Sequence, residues 1–350
     1  MNFLLNYFGF AAYLIVAISS LFVLFVLNSL SINKKILLDK ISYSKHKSYI
    51  NTENVPLTGG MLLILSVILL AYFDNPQNTL IVSLMFLIGF MSDVQIINST
   101  KKRFILQIFV IILFLINNDF VLIDQIRLKF VDNLLQKNEL ISIIFTSFCL
   151  LILINGSNFI DGTNLQCSGY YLSILITLLF LSFENFFVTD LSQINIILIS
   201  LFVFIIFNFF NKSFLGDGGT YLISFLIGII LIEFFLRNSV SPYFIALLLW
   251  YPAFENLFSI IRRIFLTKKD IDEPDNLHLH HLIYLKFSKK IKNKILKNNI
   301  TGLTIFIFNL IIFKISTYYI FDSLIQISLI LFSISIYCFV YLKLKNNNKK

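Results

Sequence analysis

Residues 213–236 read SFLGDGGTYLISFLIGIILIEFFL. An aspartate, Asp217, sits among Gly216, Gly218 and Gly219, and apolar runs lie on both sides of it. Between soluble elements an Asp-Gly pair is an ordinary turn. Between runs of about 20 apolar residues it is a carboxylate at the edge of a bilayer, where ionisable groups are costly and mark function. The whole chain has this texture. Its 350 residues are 57% hydrophobic and only 13% charged, against roughly 25% charged in soluble domains. The fold class this implies is all-α and polytopic, because helices satisfy their own backbone hydrogen bonds in lipid.

Eleven spans are expected, near residues 8–30, 59–73, 79–92, 103–117, 140–155, 167–183, 192–210, 218–236, 241–261, 300–317 and 322–342, in a single domain covering 1–350. The first run has no basic start and no small-residue cleavage site, so it reads as a spanning helix and not a removed signal peptide. Cys149, Cys167 and Cys338 lie far apart, which gives no disulfide framework or thiolate metal site. The net charge of +9 is unevenly spread. With the N-terminus outside, the inside loops near 31–58, 93–103, 156–166, 211–217 and 262–299, together with the C-terminal tail, hold 23 of the 28 Lys and Arg residues; the outside loops hold Arg127, Lys129, Lys137 and Arg237. That asymmetry predicts an outside N-terminus and an inside C-terminus, and assigns the basic surplus to topology and not to nucleic acid. The basic stretch 286–297, KFSKKIKNKILK, obeys the same rule and can also lie on anionic lipid.

Five polar clusters fall at the inside helix ends: ENVPLTGG (53–60), GFMSDVQIINSTKKR (89–103), NGSNFIDGTNLQCSG (155–169), SFLGDGGTY (213–221) and EPDNLHLHHL (273–282). Asp93 reads either as an acidic turn before a cationic anchor or as a carboxylate facing a phosphate, with Lys101 or Lys102 across a short loop. Asn155, Asn158 and Asp161 recur every third residue, which puts them along one side of a helix. Asp217, Asp161, Asp93 and Asn158 offer only oxygen. They suit Mg²⁺, which binds one or two carboxylates plus substrate phosphates, with Mn²⁺ able to stand in. His278, His280 and His281 read as cations or hydrogen-bond donors for an anionic substrate. Zinc is the alternative, but such a triplet without a cysteine seldom closes a zinc site. Glu255 is expected to face the same cavity, and Arg262 and Arg263 to anchor the membrane edge.

In this order, the motifs resemble those of the polyprenyl-phosphate N-acetylhexosamine-1-phosphate transferases, the membrane glycosyltransferase family 4. The P-x-x-GG turn appears as Pro56, Gly59 and Gly60, and the N-x-x-N-x-x-D-G motif as Asn155, Asn158, Asp161 and Gly162. The F-x-G-D-x-G segment appears as Phe214, Gly216, Asp217 and Gly219, and the H-x-H-H loop as His278, His280 and His281. The stretch PDNLHLHHL is closer to the GlcNAc and O-antigen branch than to the phospho-MurNAc-pentapeptide branch, which stays as the alternative within the family. The resemblance implies transfer of HexNAc-1-phosphate from a UDP-N-acetylhexosamine to undecaprenyl phosphate, releasing UMP. It implies a cytoplasmic-face site in a bacterial inner membrane, the first membrane step of cell-surface polysaccharide synthesis, and it allows a homodimer.

The resemblance also implies roles. Asp93, Asp161, Asp217 and Lys102 would be catalytic, and Asp217 and Asn158 would hold the metal. Asn155, Asp161, Asn164, Phe214 and Gly216 would meet the nucleotide. Lys101, Glu255 and the three histidines would meet the sugar-phosphate. The glycines beside Asp217 would let a nucleotide diphosphate approach the backbone. Three positions depart from the family pattern: Ser92 stands where an aspartate usually precedes Asp93, Asn164 replaces a frequent Asp, and Leu165 replaces a glycine. A cation-coupled transporter would instead carry acids at mid-helix and a two-fold repeat, neither of which the sequence contains. An inactive scaffold homologue is the third reading, with Ser92 as its support.

Overall fold

A computed structural model of the chain describes residues 2–39, 54–71, 76–118, 121–186, 188, 191–267 and 277–347. Glu53, and residues 273–276 of the histidine segment, lie outside the described residues. The helices are α1 (Asn2–Lys34), α2 (Gly59–Ala71), α3 (Pro76–Asp93), α4 (Thr100–Ile116), α5 (Lys129–Lys137), α6 (Glu139–Ile160), α7 (Gln166–Phe183), α8 (Leu191–Phe209), α9 (Gly216–Asn238), α10 (Pro242–Leu248), α11 (Trp250–Ile261), α12 (Leu279–Ser288), α13 (Lys294–Thr317) and α14 (Ser323–Asn347). A two-residue antiparallel ladder, β1 (Leu38–Asp39) with β2 (Val55–Pro56), pairs Leu38 with Pro56.

The all-α, polytopic expectation holds, and a helix occupies each expected span. Six of the described helices, α1, α6, α7, α9, α13 and α14, are long and apolar enough to cross a membrane alone, and the bent pair α10–α11 makes a seventh. The count of eleven is not reached on length, because α2, α3, α4 and α8 are shorter or less apolar. At 1.5 Å per residue, 17 residues reach only about 25 Å. Two short helices, α5 and α12, interrupt connections read from the sequence as loops.

The ninth expected span is broken, with 71° between α10 and the helix that follows it. The cause is local. Pro242 opens α10 at a position where proline is tolerated, with Ser241 as its side-chain cap. Pro252, the third residue of α11, has no N–H to give the Leu248 carbonyl. That carbonyl instead accepts the Tyr170 hydroxyl at 2.6 Å.

α9 is the central helix: 83% of its apolar stretch is buried, against 22% for α1 and 17% for α14. It packs on α2, α3 and α6. The chain before it is stitched to the P-x-x-GG turn by backbone bonds from Phe214 N–H to Pro56 O (2.8 Å), Gly59 N–H to Phe214 O (3.0 Å) and Gly60 N–H to Leu215 O (3.0 Å). Beneath this seam the Thr58 hydroxyl is buried between Asn28 and Ser213. A Cβ on Gly60 would lie 2.4 Å from the Gly219 nitrogen, and a Cβ on Gly219 would lie 2.8 Å from the Gly60 Cα. These two glycines therefore bring α2 and α9 backbone to backbone. This corrects the expectation for Gly219: it faces a neighbouring helix, not a nucleotide.

The prediction is that Gly60→Ala lowers the thermal unfolding midpoint in detergent micelles, at a cost of about 1–3 kcal/mol for overpacking. Leu65→Ala on the exposed face of the same helix serves as the control and shifts it little. An unchanged midpoint for Gly60→Ala would contradict the close seam.

Candidate active site

A cavity of about 970 Å³ opens at one end of the bundle, and residues from all five polar clusters line it. They include Leu57, Ser92, Asp93, Arg103, Asn158, Asp161, Asn164, Phe214, Gly216, Asp217 and the three histidines.

The Asp217 turn is held from a neighbouring helix. Asp93, the last residue of α3, accepts the Asp217 N–H at Oδ1 (2.9 Å) and the Gly218 N–H at Oδ2 (3.0 Å). The first N–H groups of a helix have no partner within it, and a carboxylate there satisfies them and complements the helix dipole. No side chain of the preceding residue, Leu215, caps α9, so Asp93 does this from outside. Gly216 makes the turn possible. Its φ is +75°, and a Cβ there would lie 2.6 Å from Asp93 Oδ2. Asp93, expected to orient the surroundings of the acceptor phosphate, lines the cavity and holds the first turn of α9.

Ser92 and Arg103 complete the turn. The Ser92 hydroxyl donates to Asp217 Oδ2 (2.7 Å), and one Arg103 guanidinium nitrogen donates to both Ser92 Oγ (2.7 Å) and Asp217 Oδ2 (2.8 Å). A hydroxyl can donate once and accept in the same geometry. An aspartate at position 92 would set two carboxylates against each other; serine supplies a donor instead. Lys101 and Lys102, expected at this place, are exposed and do not line the cavity. The helix explains it. α4 turns its Gln107, Ile111 and Phe114 face inward, and Arg103 lies one turn before Gln107 on that face, while the two lysines point elsewhere.

At the end of α6, Asn158, Asp161 and Asn164 line the cavity. Thr220 donates to Asp161 Oδ2 at 3.3 Å. Asn164 is nearly enclosed, donating its amide to Asn299 (2.9 Å) and Asn211 (3.3 Å). Asn155 is not at the cavity; its amide ties α6 to Gln107 of α4 at 3.0 Å. Leu165, at the departure from the family glycine, keeps the conformation glycine would favour: its φ is +65°. Left-handed backbone costs a non-glycine residue roughly 1–2 kcal/mol, and the Leu165 N–H bond to Asn208 Oδ1 (2.7 Å) helps hold it.

Oxygen atoms of Asp217 and Asn158 could hold a hard cation. Both side-chain partners of Asp217 sit on Oδ2, and Oδ1 has no hydrogen-bond partner among the described residues. Asn158 adds an amide oxygen on the same cavity. Among the described residues no group of three His, Cys, Asp or Glu side chains could hold a metal.

The three histidines line the cavity beside the end of α6, His278 stacked on Phe159 and His280 against Gly162, with the His278 and His280 rings 5.6 Å apart and nearly parallel. Burial, and then the nearby His281, His278 and Arg262, holds His280 well below the usual imidazole range. His280 is thus neutral at pH 7, a hydrogen-bonding group and not the cation the sequence allowed. Glu255, expected in the cavity, is fully buried behind it. Arg262 is fully buried too, bonded to the Leu277 carbonyl, while Arg263 lines the cavity. Neither is a simple membrane-edge anchor. Ser92, Arg103 and Arg263 are among the cavity groups to which sequence reasoning gave no site role. For Arg103 the helical spacing to Gln107 was the available signal.

Residues 77–235 match the family model described as Glycosyl transferase family 4, the family that the motifs resemble. The matched stretch runs from α3 to α9 and contains Ser92, Asp93, Arg103, Asn158, Asp161 and Asp217. It supports a membrane transferase of the sugar-phosphate kind. No match to a curated protein was found for the chain.

If Asp93 is the external cap of α9, Asp93→Ala should cost about 0.5–2 kcal/mol of stability and speed hydrogen exchange at the Asp217 and Gly218 amides. Lys101→Ala and Lys102→Ala should leave that exchange unchanged. Equal exchange in wild type and Asp93→Ala would contradict the cap.

Proposed function

We propose that the protein transfers HexNAc-1-phosphate, GlcNAc-1-phosphate or a derivative of it, from a UDP-sugar to undecaprenyl phosphate on the cytoplasmic face of a bacterial inner membrane. The observation that carries this reading is the convergence of five sequence-distant polar clusters on one cavity. About 970 Å³ is at the upper end of the range for small-molecule sites, roughly 300–1,000 Å³. The same reading keeps eleven crossings, with the N-terminus outside.

In the proposed reaction an oxygen of the lipid phosphate attacks the β-phosphorus of the UDP-sugar. The bond from that phosphorus to the bridging oxygen breaks, and UMP leaves with the electron pair. A phosphate monoester has its second pKa at about 6, so the nucleophile is already largely ionised at neutral pH. No general base is needed, which agrees with serine at position 92 and with Asp93 being engaged at the α9 terminus. Catalysis then rests on positioning and on neutralising phosphate charge. Asp217 and Asn158 would hold Mg²⁺, which when bound neutralises diphosphate oxygens. Arg103 fixes the Asp217 carboxylate. Asp161 and Asn164 face the nucleotide, and Phe214 and Gly216 border it. Arg263 and the histidines face the sugar-phosphate. Phospho-MurNAc-pentapeptide transfer shares these steps and differs only in the donor.

The test is UMP release by purified protein from UDP-GlcNAc, UDP-GalNAc and UDP-QuiNAc-like donors with undecaprenyl phosphate. Metal-dependent release with one of these donors is expected. Asp217→Asn should abolish it, and Arg103→Ala should lower it by about 10²-fold, the scale of losing one charge-stabilising group. Fully active Asp217→Asn would sink the metal assignment. No release with any donor would return the chain to the scaffold or transporter readings.

A further inference from the structure

Glu255 lies on α11 with no exposed surface, and it does not line the cavity. Each of its carboxylate oxygens has a partner. Oε1 is 2.9 Å from His278 Nδ1, and Oε2 accepts the Tyr337 hydroxyl at 2.6 Å. His278 does line the cavity. Its ring stacks on Phe159 (5.5 Å, 26°) and runs parallel to His280 (5.6 Å, 8°).

We propose that Glu255 is a positioning residue, which through Nδ1 sets the tautomer and plane of His278 so that Nε2 meets the sugar-phosphate end of the donor. This rests on the transferase reading above and deepens it. A carboxylate that accepts the Tyr337 hydroxyl at Oε2 is placed to accept the Nδ1 proton at Oε1 as well. The other ring nitrogen, Nε2, is the one turned away from the carboxylate, and a buried carboxylate behind an imidazole fixes both orientation and tautomer. Tyr337 gives the carboxylate its second hydrogen bond from α14, the last helix. In this way the C-terminal helix, far from the matched family stretch, supports a wall of the site. Arg262 works alongside. It bonds the carbonyl of Leu277, the residue before His278, and lies over the Phe258 and Tyr341 rings at 5.8 and 6.0 Å.

The experiment has two arms on the full-length protein in lipid nanodiscs. In the first, ¹⁵N-histidine NMR without substrate compares wild type with Glu255→Gln and Tyr337→Phe, the His278 signal being assigned by its loss in His278→Gln. Wild type and Tyr337→Phe should show the Nδ1–H tautomer of His278, and Glu255→Gln should shift the population toward Nε2–H. In the second, UMP release is measured for Glu255→Gln, His278→Gln and the double variant. Glu255→Gln should lower kcat by about tenfold to a hundredfold, the range for partners that orient a functional imidazole. In the His278→Gln background the same change should have less than about a twofold effect, because residues that act as one unit are not additive. An unchanged His278 signal in Glu255→Gln overturns the proposal, as does an undiminished kinetic loss in the His278→Gln background. If wild type releases no UMP, the transferase reading fails, while the NMR arm still decides whether Glu255 sets His278.

Discussion

The carboxylate of Asp93 accepting two backbone N–H groups at the start of α9 is the contact on which the site depends. α9 is the most enclosed helix, and its N-terminus emerges inside the cavity. Without an acceptor, the first N–H groups would be buried unsatisfied or would draw in whatever polar group was near. Asp93 settles that conflict from α3; the seam does the same for α2, whose Gly59 and Gly60 N–H groups donate to the Phe214 and Leu215 carbonyls. Only then does Asp217 project from a fixed turn, with one oxygen held by Ser92 and Arg103.

The charges follow a membrane logic. Among the described residues, the carboxylates of Asp93, Asp217 and Glu255 at this end are each satisfied by donors, as the cost of burying an ion demands. Asp217 is paired with Arg103, Asp93 caps a helix, and Glu255 is buried only with two hydrogen-bond partners. The cavity therefore keeps a mixed wall, in which His278, His280 and Arg263 lie beside the oxygen donors at the end of α6.

Much of this was legible in the sequence, and the gaps have physical causes. The apolar runs and the five clusters at one set of helix ends predicted both the helices and their meeting point, because charge and hydropathy patterns act over whole elements. Glycine purpose was misread at Gly219. A glycine serves a ligand or a neighbouring backbone equally well, and only the distance to Gly60 decides between them. Lys101 and Lys102 were favoured over Arg103 because a run of cations does not reveal which one faces inward without the phase of α4. Glu255 was expected in the cavity because an acid near a helix end suggests a ligand, while its partner on α14 is 82 residues away in the chain. The bend at Leu249 needed Pro252 to be read together with the Tyr170 hydroxyl, which the sequence keeps far apart.

The central claim is that one cavity receives the nucleotide sugar between the Asp161 and Asp217 turns. Photolabelling of the purified protein with an azido-uridine analogue of the UDP-sugar, with labelled peptides mapped by mass spectrometry, tests it most directly. The account predicts label within residues 158–164 and 214–217, lost when UDP-N-acetylhexosamine is added in excess. Label confined to other segments, or label that the nucleotide sugar does not compete away, would contradict it.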